Sequence, residues 1–324
     1  MTDIAAIRAA AARVSAGGIR RTPLLSAPEL DRRAGRRLLV KAESLLVTGS
    51  FKARGGWAAV SALAAEGGAA GVLAFSSGNH AQGVARAAAA HRMPAVILMP
   101  ADVAAVKAEA TRALGAEVVL YDRATQDREA LGAELAARRG LALVPPYDHP
   151  QVIAGQGTVG LEIAAQAAEE GVARADVLVP CGGGGLAAGI ALALEAEAPG
   201  LRVRTAEPAG FDDAARSLAA GRRLRNERLA GSVCDAILTP QPGALTFPIL
   251  ARLAGPGLAV SDEEALEAVA LAFRHLRLVL EPGGAVALAA ALFRPEALSG
   301  DAVVCVASGG NVDPALFART IAPA

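Results

Sequence analysis

The pattern that most restricts how this chain can fold is an alternation of short apolar strands with helical segments. Strands are predicted at residues 37–42, 72–75, 95–99, 117–121, 141–144, 176–180, 203–206 and 302–306. Helices are predicted between many of them, at residues 82–91, 103–114, 127–139, 158–169 and 186–196. Short apolar strands in this arrangement form a parallel sheet with helices on both faces. The sequence therefore predicts an α/β protein.

Composition narrows the class of protein further. The 324 residues are enough for two domains or one large domain. The 32 basic and 32 acidic side chains balance to a formal charge of +0, so nothing indicates a nucleic-acid groove or a polybasic membrane patch. Three widely spaced cysteines, Cys181, Cys234 and Cys305, match neither a disulfide framework nor a zinc site. Because the N-terminus also carries no apolar secretory segment, we expect a cytoplasmic protein.

Lysine is rare in this chain, and one lysine lies in a glycine-rich turn. Only Lys41, Lys52 and Lys107 are lysines, and the other basic residues are arginines. Lys52 lies within residues 48–56, ahead of a helix predicted at residues 57–65. A desolvated amine can lose its proton and attack a carbonyl group, which a guanidinium cannot do. Lys52 is therefore a candidate nucleophile, although an ordinary surface lysine would also fit this position.

Four consecutive glycines interrupt an uncharged stretch at residues 177–194. Because Pro180 and the glycines break this stretch, we interpret it as a buried strand, a loop and a helix rather than a membrane span. Glycines let the backbone approach a ligand closely, and the helix N-terminus that follows favours an anion, most often phosphate. The loop at residues 182–185 is therefore predicted to bind phosphate, with a tight turn as the simpler alternative.

A dinucleotide site is a competing interpretation of the same loop. Gly182, Gly184 and Ala187 fit the pattern G-x-G-x-x-A, and Glu207 ends the next strand, where such domains place a ribose-binding acid. An NAD-binding oxidoreductase is therefore the rival hypothesis from a different class. It leaves Lys52 without a role.

Polar side chains follow the strand at residues 72–75. Ser76, Ser77, Asn79 and His80 lie where this strand ends and a helix begins. A substrate carboxylate is bound well by several donors at the positive end of a helix dipole. An ordinary helix cap at Ser77 or Asn79 would need only one of these residues.

Acidic and hydroxyl side chains follow later strands. Glu207 and Asp213 lie close together after one strand, where oxygen ligands would suit a divalent cation, although the residues alone favour a solvated helix cap. Ser308 follows the last strand, at the end where parallel strands place ligand contacts. Glu281 precedes a predicted helix in a similar way, and both positions also fit plain turn chemistry.

Taken together, these segments resemble the pyridoxal-phosphate (PLP) enzymes of the tryptophan-synthase-like fold, in particular the serine/threonine dehydratase and serine racemase branch. The resemblance covers nearly the whole chain, in the order of residues 49–55, 76–82, 154–158, 182–186, 207–208, 281–284 and 308–311. It implies fold type II, with two open, mostly parallel twisted sheets flanked by helices. A large PLP-binding domain would comprise residues 1–70 and 148–324, and a small mobile domain residues 71–147. A homodimer is expected, with no nucleic-acid or membrane partner.

The resemblance also implies roles for individual residues. Lys52 would form an imine with pyridoxal 5'-phosphate and later remove the Cα proton of the substrate. The cofactor-binding residues would be Phe51, Lys52, Asn79, Gly182, Gly183, Gly184, Gly185, Glu281 and Ser308. The substrate-binding residues would be Ser76, Ser77, Asn79 and His80, with Ser77 supplying a second base in racemases. A divalent metal such as Mg²⁺, Ca²⁺ or Mn²⁺ would bind Glu207, Asp213 and the carbonyl of Phe211.

The activity that follows from this resemblance is elimination from a small amino acid. L-threonine or L-serine would be converted to a 2-oxo acid and ammonia. Serine racemase and threo-3-hydroxyaspartate dehydratase are the alternatives on the same fold. The resemblance also favours cofactor phosphate over a dinucleotide at the glycine loop.

Overall fold

The computed structural model describes residues 2–76, 78–103, 105–122 and 125–322. Its strands are β1 (Leu24–Leu25), β2 (Arg37–Ala42), β3 (Gly71–Phe75), β4 (Ala95–Pro100), β5 (Glu117–Tyr121), β6 (Leu141–Leu143), β7 (Ala175–Pro180), β8 (Leu201–Pro208), β9 (Leu258–Val260) and β10 (Ala302–Ala307). Its α-helices are α1 (Ile4–Ala16), α2 (Pro28–Ala34), α3 (Lys52–Glu66), α4 (Asn79–Ala90), α5 (Ala105–Ala113), α6 (Arg128–Arg139), α7 (Pro150–Glu169), α8 (Gly185–Glu197), α9 (Asp213–Ala220), α10 (Thr246–Leu253), α11 (Asp262–Leu276), α12 (Pro282–Phe293) and α13 (Pro314–Ile321).

The larger sheet, as far as the described residues go, has six strands in the order β1-β2-β10-β7-β8-β9. β1 pairs with β2 antiparallel, and the other neighbours pair in parallel. Successive side chains of β2 point to opposite faces of the sheet. Leu38 and Val40 pack in the cluster that contains α11 and α12, and Leu39 packs in the cluster that contains α7 and α8. Helices cover both faces, which explains why β10 is apolar at every position.

The smaller sheet comes from the chain between Gly71 and Leu143. In that described part of the chain, four strands pair in parallel in the order β5-β4-β3-β6. One face packs against α4 through Ala81 and Val84, and the other packs against α6 through Leu135. The predicted fold class, two mostly parallel sheets flanked by helices, is therefore confirmed.

Helix α3 begins at Lys52, so the prediction that Lys52 lies in a turn ahead of a helix at residue 57 is wrong. The prediction delayed the helix because Gly55 and Gly56 are poor helix formers. Both glycines lie inside α3 because neighbouring groups come too close for a side chain. A Cβ at Gly55 would overlap the amide of Gln156. Tight packing therefore outweighs local helix propensity here.

The glycine loop lies between a strand and a helix, as predicted. β7 ends at Pro180, and α8 begins at Gly185. Helix α7 begins earlier than predicted, at Pro150, because proline suits the first position of a helix. Across the described ranges, we find no helix that is both long and apolar enough to cross a membrane. Cys181, Cys234 and Cys305 are buried free thiols.

Candidate active site

Side chains that carry chemistry meet at the carboxyl edge of the larger sheet. β2 leads towards Lys52, β7 leads into the glycine loop, and β10 ends beside Ser308. The carboxyl ends of parallel strands lie at one edge of a sheet, so these segments converge there. Two contacts confirm the convergence. The N–H of Phe51 donates to the carbonyl of Ser308 at 3.0 Å, and Ser50 forms a β-bridge with Gly309.

Lys52 is a half-buried amine at the head of α3. Its Nζ donates to the carbonyl of Pro146 at 2.6 Å and lies 5.0 Å from the centre of the Phe51 ring. Burial lowers the pKa of Lys52 to about 8, and the nearby carboxylate of Glu281 partly opposes this shift. A substantial fraction of Lys52 is therefore an uncharged amine just above neutral pH, as a nucleophile or base requires.

The helix that carries Lys52 is held by a buried ion cluster. Arg54 is only 1% exposed, and its guanidinium donates to both carboxylate oxygens of Glu43 and to both of Glu162. Lys41 donates to Glu162 at 2.5 Å and to the carbonyl of Thr22 at 2.8 Å. The charges of two basic and two acidic groups thus neutralise one another in a largely buried cluster. The cluster ties the first turn of α3 to β2 and α7.

Asn79 is the central member of a chain of three polar side chains. Its Nδ2 donates to Oε1 of Glu281 at 2.6 Å, and its Oδ1 accepts from Nδ2 of Asn311 at 2.6 Å. These two contacts fix which way the amide faces, and the second hydrogen on Nδ2 is left for a ligand acceptor. Burial raises the pKa of Glu281 to about 7, and the hydrogen bond from Asn79 limits the rise.

His80 is buried with its ring in one defined tautomer. Nε2 lies 2.8 Å from the carbonyl of Val144, so Nε2 carries the proton and donates it there. Burial, with the charge of Lys52, lowers the pKa of His80 to about 3, which keeps the ring neutral. Nδ1 is then an acceptor, and it has no protein partner. If His80 binds a carboxylate, it does so through its backbone N–H rather than its ring.

The other predicted substrate-binding residues are two serines. Oγ of Ser76 accepts from the N–H of Gly78 at 3.2 Å, so its hydroxyl hydrogen is free to donate to a ligand. Ser77, predicted as a second base and as a substrate contact, lies outside the described residues.

The glycine loop is shaped by two neighbours that approach its backbone closely. Gly184 adopts the left-handed conformation, with φ of +90°, which favours glycine. A Cβ at Gly183 would overlap the ring of Tyr147. The carbonyl of Gly183 accepts from Oγ1 of Thr246 at 2.6 Å. This carbonyl is therefore already occupied, while the first N–H groups of α8 have no partner inside the helix.

Thr239 adds a buried hydroxyl beside the glycine loop. Its Cγ2 atom would lie 3.1 Å from a Cβ placed on Gly182, and its buried Oγ1 has no partner. An unpaired hydroxyl beside free helix N–H groups suits the oxygens of a phosphate. The residues present therefore fit the phosphate of pyridoxal phosphate.

Glu207 and Asp213 lie buried at the end of β8 and the start of α9. The two oxygens of Glu207 accept from the N–H groups of Ala214 and Ala215, each at 2.8 Å. Oδ1 of Asp213 accepts from Asn226 at 2.6 Å, whereas Oδ2 is buried without a partner. Burial, with the charge of Asp213, raises the pKa of Glu207 well above its ordinary value, and burial raises that of Asp213 to about 7.

These two carboxylates fit a divalent cation only in part. Glu207 also caps α9, but it is buried, so the cap is not the solvated one that the simpler interpretation predicts. Within the described ranges, no group of three His, Cys, Asp or Glu side chains could hold a metal. A cation here would therefore need the carbonyl of Phe211 or water as further ligands.

Four residues to which the sequence assigned no individual role complete the site. Gln156 is buried beside the first turn of α3, and neither polar atom of its amide has a partner. Asn311 orients Asn79, and Thr239 and Thr246 contact the glycine loop. Thr239 lies in an irregular segment and Thr246 begins α10, and no periodic pattern distinguishes a ligand contact at either position from a turn or capping residue.

The fold and this site combine a half-buried lysine amine with a glycine loop that fits a phosphate. Residues 16–309 match the family model described as pyridoxal-phosphate dependent enzyme, and the chain belongs to this family. It is a PLP-dependent enzyme of the ammonia-lyase and racemase type, with fold type II. Its glycine loop is therefore interpreted as a phosphate site rather than a dinucleotide site.

Three comparisons place the chain within the family. It is 40% identical over 304 residues to the L-threo-3-hydroxyaspartate ammonia-lyase of Saccharomyces cerevisiae, covering 94% of this chain and 91% of that protein. It is 37% identical over 300 residues to the serine racemase of Schizosaccharomyces pombe, covering 92% and 91%. The crystal structure of the threonine deaminase from T.th. aligns with a TM-score of 0.89 at 45% identity, covering 96% and 99%.

Proposed function

We propose that this enzyme removes ammonia from a small 3-hydroxy amino acid by α,β-elimination, giving a 2-oxo acid. The observation that carries this proposal is the half-buried amine of Lys52, whose pKa burial lowers to about 8. Such an amine can hold an aldehyde covalently and can also remove a proton near neutral pH.

The cofactor would be held by residues from both sheets. Lys52 would bind its aldehyde carbon, Phe51 would pack against its ring, and Gly182, Gly183, Gly184 and Gly185 would surround its phosphate. Asn79, oriented by Glu281, would contact the ring hydroxyl, and Ser308 the ring nitrogen. When bound, the cofactor withdraws electrons from the substrate and so stabilises the charge left at Cα.

Lys52 would act as the base of the reaction. Its Nζ would take the Cα proton, because an amine with a pKa of about 8 is a stronger base than water and is still partly free at neutral pH. A neutral hydroxyl at Ser308 would leave the ring nitrogen largely unprotonated. That limits electron withdrawal and favours elimination over transamination.

The substrate carboxylate would bind at the N-terminus of α4. Ser76 and Asn79 carry donors there, and the backbone N–H of His80 lies in the first helical turn. The positive end of the helix dipole adds to the attraction. Ser77 is proposed as a further contact and as the second base that a racemase would need.

L-threonine and L-serine are the first candidate substrates, and L-threo-3-hydroxyaspartate is the second. Arg128 favours the second, because a β-carboxylate needs a cation. Its guanidinium lies 5.4 Å from the ring of Phe75, which directly precedes Ser76. Burial raises the pKa of Tyr147, and the charge of Arg128 partly opposes this shift. Arg128 therefore lies beside Phe75, and its charge acts on Tyr147 at the border of the proposed site.

A 2-oxo acid assay on the cofactor-loaded enzyme ranks these substrates. The panel contains L-threonine, L-serine, both threo-3-hydroxyaspartates and D-serine. Arg128→Met should lower kcat/KM for hydroxyaspartate by about a hundredfold, the effect of losing an ion pair of about 2–3 kcal/mol. It should change L-threonine turnover little. Absence of oxo acid from every compound would overturn the proposal, and loss of L-serine without oxo acid would indicate a racemase.

We also propose a divalent cation at Glu207, Asp213 and the carbonyl of Phe211. The buried, unpaired Oδ2 of Asp213 supports it. Mg²⁺, Ca²⁺ or Mn²⁺ should raise the melting temperature of the wild type but not of Asp213→Asn, with Asp212→Asn as the matched control. Equal shifts in all three proteins would contradict this site.

Three further expectations are proposals of the same kind. The segment at residues 71–147 would move as a small domain and close over the substrate. The enzyme would be a cytoplasmic homodimer. Light scattering tests the dimer, and structures with and without bound amino acid test the closure.

A further inference from the structure

Helices α3 and α4 touch each other backbone to backbone beside the amine of the site. A Cβ at Gly83 on α4 would lie 2.6 Å from the carbonyl oxygen of Lys52. A Cβ at Gly56 on α3 would lie 2.7 Å from the carbonyl carbon of Gly83. Real Cβ atoms essentially never approach this closely, and the opposing atoms are rigid backbone. The crossing therefore requires glycine on both helices.

The same helix α4 carries the proposed carboxylate donors. Asn79 and His80 lie in its first turn, and Gly83 follows one turn later. Residues three and four positions apart lie on the same side of a helix, about 4.5 Å and about 6 Å apart along its axis at about 1.5 Å per residue. Gly83 therefore lies on the side of α4 that carries Asn79 and His80.

The first turn of α3, which carries Lys52, cannot easily move away from α4. Its helix is tied to β2 and α7 through Arg54, and Phe51 is hydrogen-bonded to Ser308. Helix α4 packs instead on the smaller sheet, through Ala81 and Val84. The contact between Gly83 and Lys52 thus sets how closely α4, which carries the carboxylate donors, approaches the amine of Lys52.

We propose that Gly83 is a positioning residue that sets the distance between the carboxylate donors on α4 and the amine of Lys52. This inference rests on the proposed function. A side chain at residue 83 must open the crossing from 2.6 Å towards the 3.4 Å at which ordinary contact begins. A displacement on the order of 1 Å at reacting groups can cost roughly a hundredfold in rate.

The test uses two amines that bind the holoenzyme without elimination. L-alanine carries a carboxylate and has no leaving group, and ethanolamine has no carboxylate. Dissociation constants come from the change in cofactor absorbance on titration. Gly83→Ala should weaken L-alanine by more than about tenfold, or about 1.4 kcal/mol, and ethanolamine by less than about twofold. For a substrate that reacts, Gly83→Ala should increase KM by a larger factor than it decreases kcat.

Gly132→Ala is the matched control. Gly132 is a buried helical glycine on α6, and its Cβ would lie 3.3 Å from the flexible end of Leu98. This variant should bind both amines as the wild type does. Gly56→Ala opens the same crossing without placing an atom against Lys52, so it should reproduce the selective loss. If Gly83→Ala does not fold, Gly56→Ala is used in its place for the same titrations.

Two results would overturn the inference. One is an equal weakening of both amines in Gly83→Ala or Gly56→Ala, which would indicate general damage to the cofactor site. The other is unchanged L-alanine binding. Wild-type enzyme that binds L-alanine but produces no oxo acid from any hydroxy amino acid of the panel would contradict the proposed reaction, and the Gly83 comparison would still hold.

Discussion

Asn79 and Glu281 join the two sheets through a single hydrogen bond of 2.6 Å, from Nδ2 of the amide to Oε1 of the carboxylate. Asn79 begins the helix that packs on the smaller sheet, and Glu281 precedes a helix that packs on the larger one. The contact therefore orients a proposed cofactor ligand from across the interface. It also places a buried carboxyl group close to Lys52, and the attraction between the two groups partly opposes the pKa shifts that burial causes in both.

Replacing Glu281 tests this orientation. Glu281→Gln keeps an oxygen acceptor for Asn79, so activity should stay within about tenfold of the wild type, a loss below about 1.4 kcal/mol. Glu281→Leu removes the acceptor and should lower activity further, as steady-state kinetics will show. Equal activity in the two variants would mean that the hydrogen bond does not position Asn79.

The raised pKa of Glu281 also predicts a pH dependence of stability. The folded pKa of about 7 exceeds the ordinary value of 4.5, so the folded, cofactor-free protein binds more protons than the unfolded chain between these values. This group's contribution to the free energy of unfolding is therefore present below pH 4.5 and is lost as pH rises through 7, by at most about 1.4 kcal/mol per pH unit. Urea denaturation should show a smaller decline in Glu281→Gln. The exposed Glu109→Gln is the control, and identical curves for both variants would refute the assignment.

Lys52→Ala should abolish the absorbance of bound cofactor at the edge of the visible range, because no other group is proposed to hold the aldehyde. Lys107→Ala is the matched control, since its amine lies on the surface, 3.6 Å from Asp235. In the cofactor-free wild type, pyridoxal phosphate should react faster as pH rises through about 8, where Lys52 loses its proton. Cofactor absorbance that persists in Lys52→Ala would assign the aldehyde to another residue.

Arg54→Met should destabilise the protein strongly. Among the described residues, it leaves Glu43 without an ion pair and Glu162 with Lys41 alone, which costs about 3–5 kcal/mol in comparable buried pairs. Urea denaturation measures the loss. Arg32→Met removes an exposed ion pair with Glu29 and should have little effect. A loss in Arg54→Met no larger than in Arg32→Met would show that the buried cluster does not stabilise α3.

Gly183→Ala should weaken cofactor binding, because the added methyl group overlaps the ring of Tyr147. Overpacking of this kind costs about 1–3 kcal/mol, which corresponds to an increase of roughly fivefold to a hundredfold in the dissociation constant. Tyr147→Ala removes the overlapping ring, so the double variant should bind the cofactor more tightly than Gly183→Ala alone. Tyr147→Ala by itself is the control. If the double variant bound the cofactor as weakly as Gly183→Ala does, the loss of affinity would come from the loop backbone instead.

The alternation of strands and helices, the glycine loop and the unusual lysine were all readable from the sequence. Each is a local signal, because strand periodicity, glycine runs and residue type depend on neighbours along the chain. This is why the strand predicted at residues 37–42 coincides with β2. The same local reasoning misplaced the start of α3, where the reason for Gly55 and Gly56 lies on other helices.

Only the tertiary structure decided which side chains meet. Arg54 pairs with Glu162, Asn79 pairs with Glu281, and the ring N–H of His80 is taken by Val144. The sequence predicts His80 as a donor to the substrate carboxylate. Because Nε2 donates to Val144, the remaining ring nitrogen, Nδ1, can only accept. Partners far apart in the chain are selected by packing and by the cost of burying an unpaired polar group, and neither leaves a periodic trace in the sequence.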